Sequence, residues 1–140
     1  MPSGGFMNVT RSALSLNVPD PQQSAQFVEQ HFGFQQEMAF ESMVSLQRPD
    51  VPFNLIYLQT GLSTFKPTSH AGSAREGLLV VFVVDNIDQE YQRLQQEGAP
   101  IVTPIETESW GERYFQTCDP NGILYQLVQW MEDPIQEVHP

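Results

Sequence analysis

The sequence is short of positive charge. Six Lys and Arg stand against 17 Asp and Glu, a formal net charge of −11 at pH 7 over 140 residues. Such a chain repels the polyphosphate of a nucleic acid and the surface of an anionic membrane, so neither is expected as a partner. A neutral or cationic small molecule suits it better. Cysteine is nearly absent, and the single Cys118 permits no intrachain disulfide and no thiolate metal cluster. Cys118 reads as a small buried residue. The three histidines are scattered. His31 falls in the last turn of an expected helix, on its outer side, where a cation complements the dipole. His70 falls in a connector and His139 in the tail, and no Ser-His-Asp or Cys-His spacing suggests a nucleophile. No apolar run approaches the ~18 residues of a membrane helix. Met1-Pro2-Ser3-Gly4-Gly5 has neither a basic start nor an apolar stretch, so no signal peptide is expected and a cytoplasmic protein is the simplest expectation.

Hydrophobic residues make up 40% of the chain, enough for one domain or for two small modules sharing a core. Ser12 to Val18 alternates, with Leu14, Leu16 and Val18 on one face and Ala13, Ser15 and Asn17 on the other, the period of a half-buried strand. Asp20-Pro21 then predicts a helix start, with Asp20 as N-cap and Pro21 in the first turn. The helix is expected to run to about His31, burying Ala25, Phe27, Val28 and Phe32, with Gly33 as its C-cap. Phe34 to Phe40, Met43 to Leu46 and Phe53 to Leu58 follow as strands. Residues 1–60 therefore read as β-α-β-β-β.

Residues 61–77, rich in Gly, Ser and Thr and holding the only lysine, Lys66, read as a connector. Residues 78–130 repeat the first pattern. Leu78 to Val84 is a strand, Asp85-Asn86-Ile87-Asp88 caps a helix that ends at Gly98, and Tyr91 and Leu94 face the core. Ile101 to Ile105 is a strand ahead of an acidic loop, Glu106-Thr107-Glu108. The stretch Trp110 to Trp130 is a hairpin around Asp119-Pro120-Asn121-Gly122, where Pro120 presets φ and Asn121-Gly122 accepts positive φ. Val18 answers to Val84 and Gly33 to Gly98 at nearly the same offset, so the punctuation suggests a duplicated module. Residues 131–140 form an acidic tail.

Three stretches, LNVPDPQQSAQFVEQHFGF, VVFVVDNIDQEYQRLQQEGAPI and WGERYFQTCDPNGILYQLVQW, together resemble the vicinal oxygen chelate superfamily of glyoxalases, extradiol dioxygenases, fosfomycin-resistance enzymes and bleomycin-resistance binding proteins. The resemblance runs from about Ser12 to Trp130. It implies an α+β fold: two βαβββ modules forming a cupped partial barrel with helices outside. It also implies a homodimer, since many members combine modules of two chains.

Enzymes of the superfamily hold a divalent metal with His, Glu or Gln on the first and last strands of each module, and a Lewis-acid metal needs several such donors with open positions for substrate. The resemblance puts those positions on Ala13, Leu79, Gln126 and, at best, Asn54. Two are aliphatic and two are neutral amides. Slipping one residue turns the side chain to the wrong face. No metal and no cofactor is expected; a divalent metal is the alternative.

A cup without a metal still binds. Its expected lining is Ala13, Ser15 and Asn17, then Leu79, Val81 and Val83, then Leu124, Gln126 and Val128, an apolar surface with sparse polar groups. Met38, Phe40, Tyr57, Trp110 and Tyr114 add aromatic or polarizable area. In the resemblance, the Trp of the WG strand lies at the drug groove, so Trp110 is the expected stacking platform. The expected ligand-binding set is Trp110, Gln126, Asn17, Ser15, Phe40, Tyr57, Tyr114 and Val128. No catalytic residue is assigned. The leading expectation is a metal-free protein that sequesters a planar or cationic drug-like molecule. One alternative is a glyoxalase- or dioxygenase-type metalloenzyme using Gln126, Glu37 or Glu41, and His70. Another is a metal-free isomerase or cyclase with Glu41, Glu112 or Tyr114 as its acid-base group.

Overall fold

The structure is a computed structural model that describes residues 7–131. The tail beyond Met131, with His139, lies outside those residues. The chain divides into two compact units between Ser73 and Ala74.

The first unit runs β1 (Ala13–Val18), α1 (Pro21–Phe32), β2 (Gln35–Phe40), β3 (Met43–Gln47) and β4 (Asn54–Gln59). Its sheet has the order β1-β4-β3-β2, with β1 parallel to β4 and the remaining pairs antiparallel. The alternation in β1 does what its period requires. Leu16 and Val18 are buried on the side that meets α1, while Ala13 and Ser15 are exposed on the other. Ala25, Phe27, Val28 and Phe32 of α1 close that core, together with Val44, Leu46, Leu55 and Tyr57. Full burial of each large apolar side chain contributes about 1.5–3 kcal/mol relative to leaving it exposed. Gly33 ends the helix in the left-handed region at φ 71°, and its N–H donates to the Val28 carbonyl. His31 departs from expectation. It is buried rather than on the outer side of the helix, and its ring meets that of Phe27 edge-on at 4.7 Å.

The second unit runs β5 (Leu79–Val83), α2 (Ile87–Gln96), β6 (Ile101–Thr107), β7 (Glu112–Cys118) and β8 (Leu124–Trp130). The order is β5-β8-β7-β6, with β5 parallel to β8. Asn86 caps α2 by accepting from the Gln89 N–H at 3.2 Å. Leu94 is buried, and Tyr91 packs on Phe115 with ring centroids 4.9 Å apart. One element is longer than its composition predicts. Glu106 and Thr107 belong to β6, paired with Tyr114 and Arg113, rather than to an acidic loop. The ladder breaks on either side of Thr103, next to Pro104, which has no N–H to give; an edge strand tolerates this.

Each unit thus has one sheet face packed on its helix and one free of helix. The elements carry this twice, βαβββ and βαβββ. Among the described residues no helix is long and apolar enough to cross a membrane.

Candidate functional site

On the first sheet, register sets Ala13, Ser15 and Asn17 of β1 beside Asn54, Ile56 and Leu58 of β4 on the helix-free face. Ser15 is exposed there. Asn17 is already committed. Its amide donates to the carbonyls of His70 at 2.7 Å and Gly72 at 3.0 Å, using both of its protons. Asn17 therefore clasps the connector to β1 rather than presenting donors to a ligand. The clasp is reinforced where the Gly61 N–H donates to the Ala71 carbonyl at 2.9 Å. His70 ends a short 3-10 turn, Thr68–His70, with its side chain exposed. Phe40, 61% exposed, sits at the end of β2, at the opposite edge of the sheet from β1. Tyr57 is a correction. It pairs with Leu16 and Val44 on the helix side and is fully buried, so it is core and not pocket lining. A strand reverses its side chains every residue, and Tyr57 falls on the wrong phase.

The first sheet also carries a carboxylate on its helix-free face. Glu37, at the bulge in β2, accepts from Arg11 at 2.8 and 3.1 Å and from the Asn54 amide at 3.0 Å. The hydrogen bond from Arg11 is the main reason its carboxyl is held below the usual range.

The second sheet has a longer polar chain on the corresponding face. The Thr103 hydroxyl donates to Gln116 Oε1 at 2.9 Å. Gln116 Nε2 donates to Gln126 Oε1 at 2.9 Å, and Gln126 Nε2 donates to Glu112 Oε2 at 3.1 Å. The Trp110 indole N–H closes the chain on Glu112 Oε1, also at 3.1 Å. The direction of this chain has one origin. An ionised carboxylate only accepts, so Gln126 must turn its NH₂ toward Glu112 and its carbonyl toward Gln116. Gln116 must in turn offer its carbonyl to Thr103.

Trp110 is held by a turn. The Gly111 N–H donates to the Glu108 carbonyl and the Glu108 N–H to the Glu112 carbonyl, with Gly111 at φ 93°. That positive φ favours glycine and places the preceding indole at the tip of the β6–β7 hairpin, 48% exposed. The Met131 N–H, just past β8, donates to the Gly111 carbonyl at 2.8 Å and ties this tip to the neighbouring strand.

Tyr114 lies two residues along β7 from Glu112. Its hydroxyl is within 2.8 Å of Glu106 Oε1 and 2.7 Å of Glu108 Oε2. These two acceptors, Glu108 first, raise its pKa well above the ordinary tyrosine value. Val128 pairs with Tyr114 and Val83 but is only 2% exposed. It supports the face from within and offers little surface to a ligand.

The turn residues Pro120 to Gly122 are held by Asp119, which turn statistics alone did not single out. Asp119 Oδ1 accepts from the N–H groups of Asn121 and Ile123, and Oδ2 accepts from the Tyr125 hydroxyl at 2.9 Å. It is 3% exposed. Gln116 and Thr103 as chain members and Glu112 as a binding group were likewise not among the expected residues. The signal was available, since Gln116 falls on the same strand phase as Tyr114. Cys118 is half-buried; burial first, and then the Asp119 charge, push its thiol up.

Of the eight residues expected at a site, the second unit brings together Trp110 and Gln126, joined through Glu112, with Tyr114 and Val128 beside them. The first unit keeps Ser15 and Phe40 on opposite edge strands, engages Asn17 with the connector and buries Tyr57. A divalent metal does not fit these donors. Ala13 and Leu79 are aliphatic, the Gln126 carbonyl already accepts from Gln116, and Asn54 turns its NH₂ to Glu37. Among the described residues no group of three or more His, Cys, Asp or Glu could hold a metal ion.

Comparison with known proteins agrees with this architecture. An uncharacterized protein of Mycobacterium bovis is 33% identical over 79 residues, covering 56% of this chain and 47% of that protein. An uncharacterized protein of Mycobacterium tuberculosis shares the same identity over the same length, covering 42% of itself. The chain thus spans less than half the length of these relatives. Among solved structures, a glyoxalase/bleomycin resistance protein/dioxygenase from Nocardioides superposes with a TM-score of 0.75 at 20% identity, covering 91% of this chain and 87% of that one. TioX from Micromonospora sp. ML1 superposes with a TM-score of 0.65 at 20% identity, covering 87% and 99%. At such identities the superpositions speak for the fold alone. The profile of the Glyoxalase/Bleomycin resistance protein/Dioxygenase superfamily matches residues 10–127, and the chain belongs to that superfamily.

Proposed function

We propose that this protein is a metal-free small-molecule binder that takes planar or cationic drug-like ligands and acts by stoichiometric sequestration, as a resistance protein does. The observation that carries the reading is the state of Gln126. At a position where the resemblance implies a metal ligand, the chain has an amide whose two ends are both engaged by protein groups. What that amide supports is an exposed indole, Trp110, hydrogen-bonded to Glu112. An indole plane offers stacking area and a negative π-face for a flat or cationic ring. Exposed Leu79, Val81 and Val83 supply apolar surface on the same sheet.

The metalloenzyme alternative has weaker support. Glu37 is paired with Arg11, Glu41 sits exposed at the β2–β3 turn, and His70 is exposed in the connector turn. A cytoplasmic homodimer without nucleic-acid or membrane partners completes the proposal, and sedimentation of the purified protein tests its oligomeric state.

The binding reading is tested by metal analysis of the purified protein and by quenching of tryptophan fluorescence with planar dyes. No stoichiometric Ni, Zn, Mn or Fe is expected, and quenching is expected to weaken about tenfold or more in Trp110→Ala. Stoichiometric tight metal overturns the metal-free reading. Undiminished dye binding without Trp110 overturns its role as platform.

A further inference from the structure

We propose that Glu112 is the charge-selecting anchor of this site, and that its ligand is a planar organic cation, whose charge sits against the Glu112 carboxylate between the indoles of Trp110 and Trp130. The proposal rests on the binding reading above and narrows its ligand class.

Three observations converge on Glu112. The first is its hydrogen bonding. Both carboxylate oxygens accept, one from the Trp110 indole and one from the Gln126 amide, and both donors are neutral. Two neutral donors orient a carboxylate without cancelling its charge. Lone pairs remain on each oxygen for a further donor.

The second is the absence of a counter-ion. Elsewhere in the chain Arg11 pairs with Glu37, Arg48 with Asp50, Arg93 with Glu90 and Glu97, and Arg113 with Asp88. Glu112 is in none of them. The basic residue next to it, Arg113, alternates to the opposite face of β7 and reaches Asp88 at the start of α2 at 2.7 Å. Glu106 and Glu108, gathered on Tyr114 two residues along, add negative charge to the region.

The third is the aromatic setting. Trp130 is the cross-strand partner of Glu112, so their Cβ atoms stand about 4.5–5.5 Å apart. Trp130 is 37% exposed and Trp110 48%. Large exposed aromatics beside an uncompensated carboxylate suit a cation that is also flat, because the ring stacks while the charge meets both the carboxylate and the indole π-faces. A neutral ring gains only the stacking. An anion is repelled.

The polar chain gives Glu112 its precision. Thr103, Gln116 and Gln126 fix the carboxylate from one side and Trp110 from the other, so little orientation is lost when a ligand arrives.

The test compares 10-methylacridinium, a permanent cation, with acridine, its uncharged near-isostere at about pH 8, by fluorescence titration and calorimetry at low salt. The wild type is expected to prefer the cation by about tenfold or more, and the preference is expected to shrink as salt rises. Glu112→Gln should bring the two affinities to within about twofold, its folded state being checked by circular dichroism and melting. Glu37→Gln removes an equal charge from the first unit and should leave the preference intact. Equal binding of both dyes to the wild type, with the Trp110 dependence kept, overturns the anchor while the binding reading stands. Equal loss of preference in Glu37→Gln assigns it to the overall acidity and likewise overturns the anchor. Binding of neither dye overturns the inference and the binding reading together. A wild-type preference that resists salt overturns it even if Glu112→Gln does not fold.

Discussion

Two sheets of the same topology each carry a carboxylate on the helix-free face, hydrogen-bonded to an amide of the unit's last strand. In the first unit Glu37 receives Asn54, and in the second Glu112 receives Gln126. The third partner separates them. Glu37 is closed by the guanidinium of Arg11, whereas Glu112 is closed by a neutral indole. The first arrangement is a surface ion pair, worth little to stability and internally neutral. The second keeps its charge and presents it beside aromatic surface. A duplicated fold has thus built a paired carboxylate and one without a counter-ion from nearly the same parts, and the difference lies in one residue's charge.

The largest expected effect concerns what holds the second sheet in register. Asp119→Ala removes the acceptor for two backbone N–H groups and a buried tyrosine hydroxyl. A loss of about 2–4 kcal/mol is expected in urea unfolding, because the buried Ile123 N–H and the buried Tyr125 hydroxyl lose this acceptor. If the loss is under about 0.5 kcal/mol, the turn is held by Pro120 and Gly122 alone.

Gln126→Glu, which puts a carboxylate at a position where the resemblance implies a metal ligand, sets a second carboxylate against Glu112 in place of a donor. A loss of about 1–2 kcal/mol is expected, without stoichiometric metal uptake, since Ala13 and Leu79 offer no donor. Tight uptake of Zn or Ni by this variant would show that one side chain was all the metal site lacked.

Tyr114 marks the acidic end of the second face. Its phenol is neutral when hydrogen-bonded to Glu108 and Glu106, and its pKa in the folded state is raised. The linked stability is fully present below the ordinary tyrosine pKa of about 10 and is lost as pH rises through the folded value. In an ultraviolet titration, the difference between wild type and Tyr114→Phe should appear above the ordinary tyrosine range. A difference centred on about pH 10 would mean that the two carboxylates do not hold this proton.

The smallest effect is expected from Arg11→Ala. Glu37 loses first its hydrogen bond from Arg11 and then the attendant charge, so its carboxyl should return upward toward the usual range. With its folded pKa depressed, the pair contributes above the unfolded pKa and its contribution disappears as pH falls through the folded one. Side-chain NMR of Glu37 reads the shift. The same variant probes the comparison directly. If freeing Glu37 makes the first unit bind 10-methylacridinium as well, a bare carboxylate is sufficient and the indoles are incidental.

Much of the fold was legible in the chain. The β1 alternation, the Pro21 start, the Gly33 stop and the turn before Ile123 all depend on neighbours within a few residues, and short-range sterics act the same way in any context. The end of β6 was not legible, because Glu106 and Thr107 are strand only by pairing with Tyr114 and Arg113. His31 and Tyr57 were misjudged for a related reason: a polar tip says little about which face a helix or strand turns inward.

The site divides along the same line. The resemblance set two of the superfamily's metal positions on Ala13 and Leu79, and the residue types there need no structure to read, because an aliphatic side chain cannot ligate in any fold. The resemblance also pointed to Trp110 as the stacking residue, and its exposure came with the fold. Which polar groups are engaged was decided only by the folded sheets. Asn17 and Gln126 are both amides on helix-free faces, yet one clasps the connector and the other orients Glu112. A hydrogen bond between residues far apart in sequence depends on strand register and on the phase of each side chain, and neither is written at the residue itself.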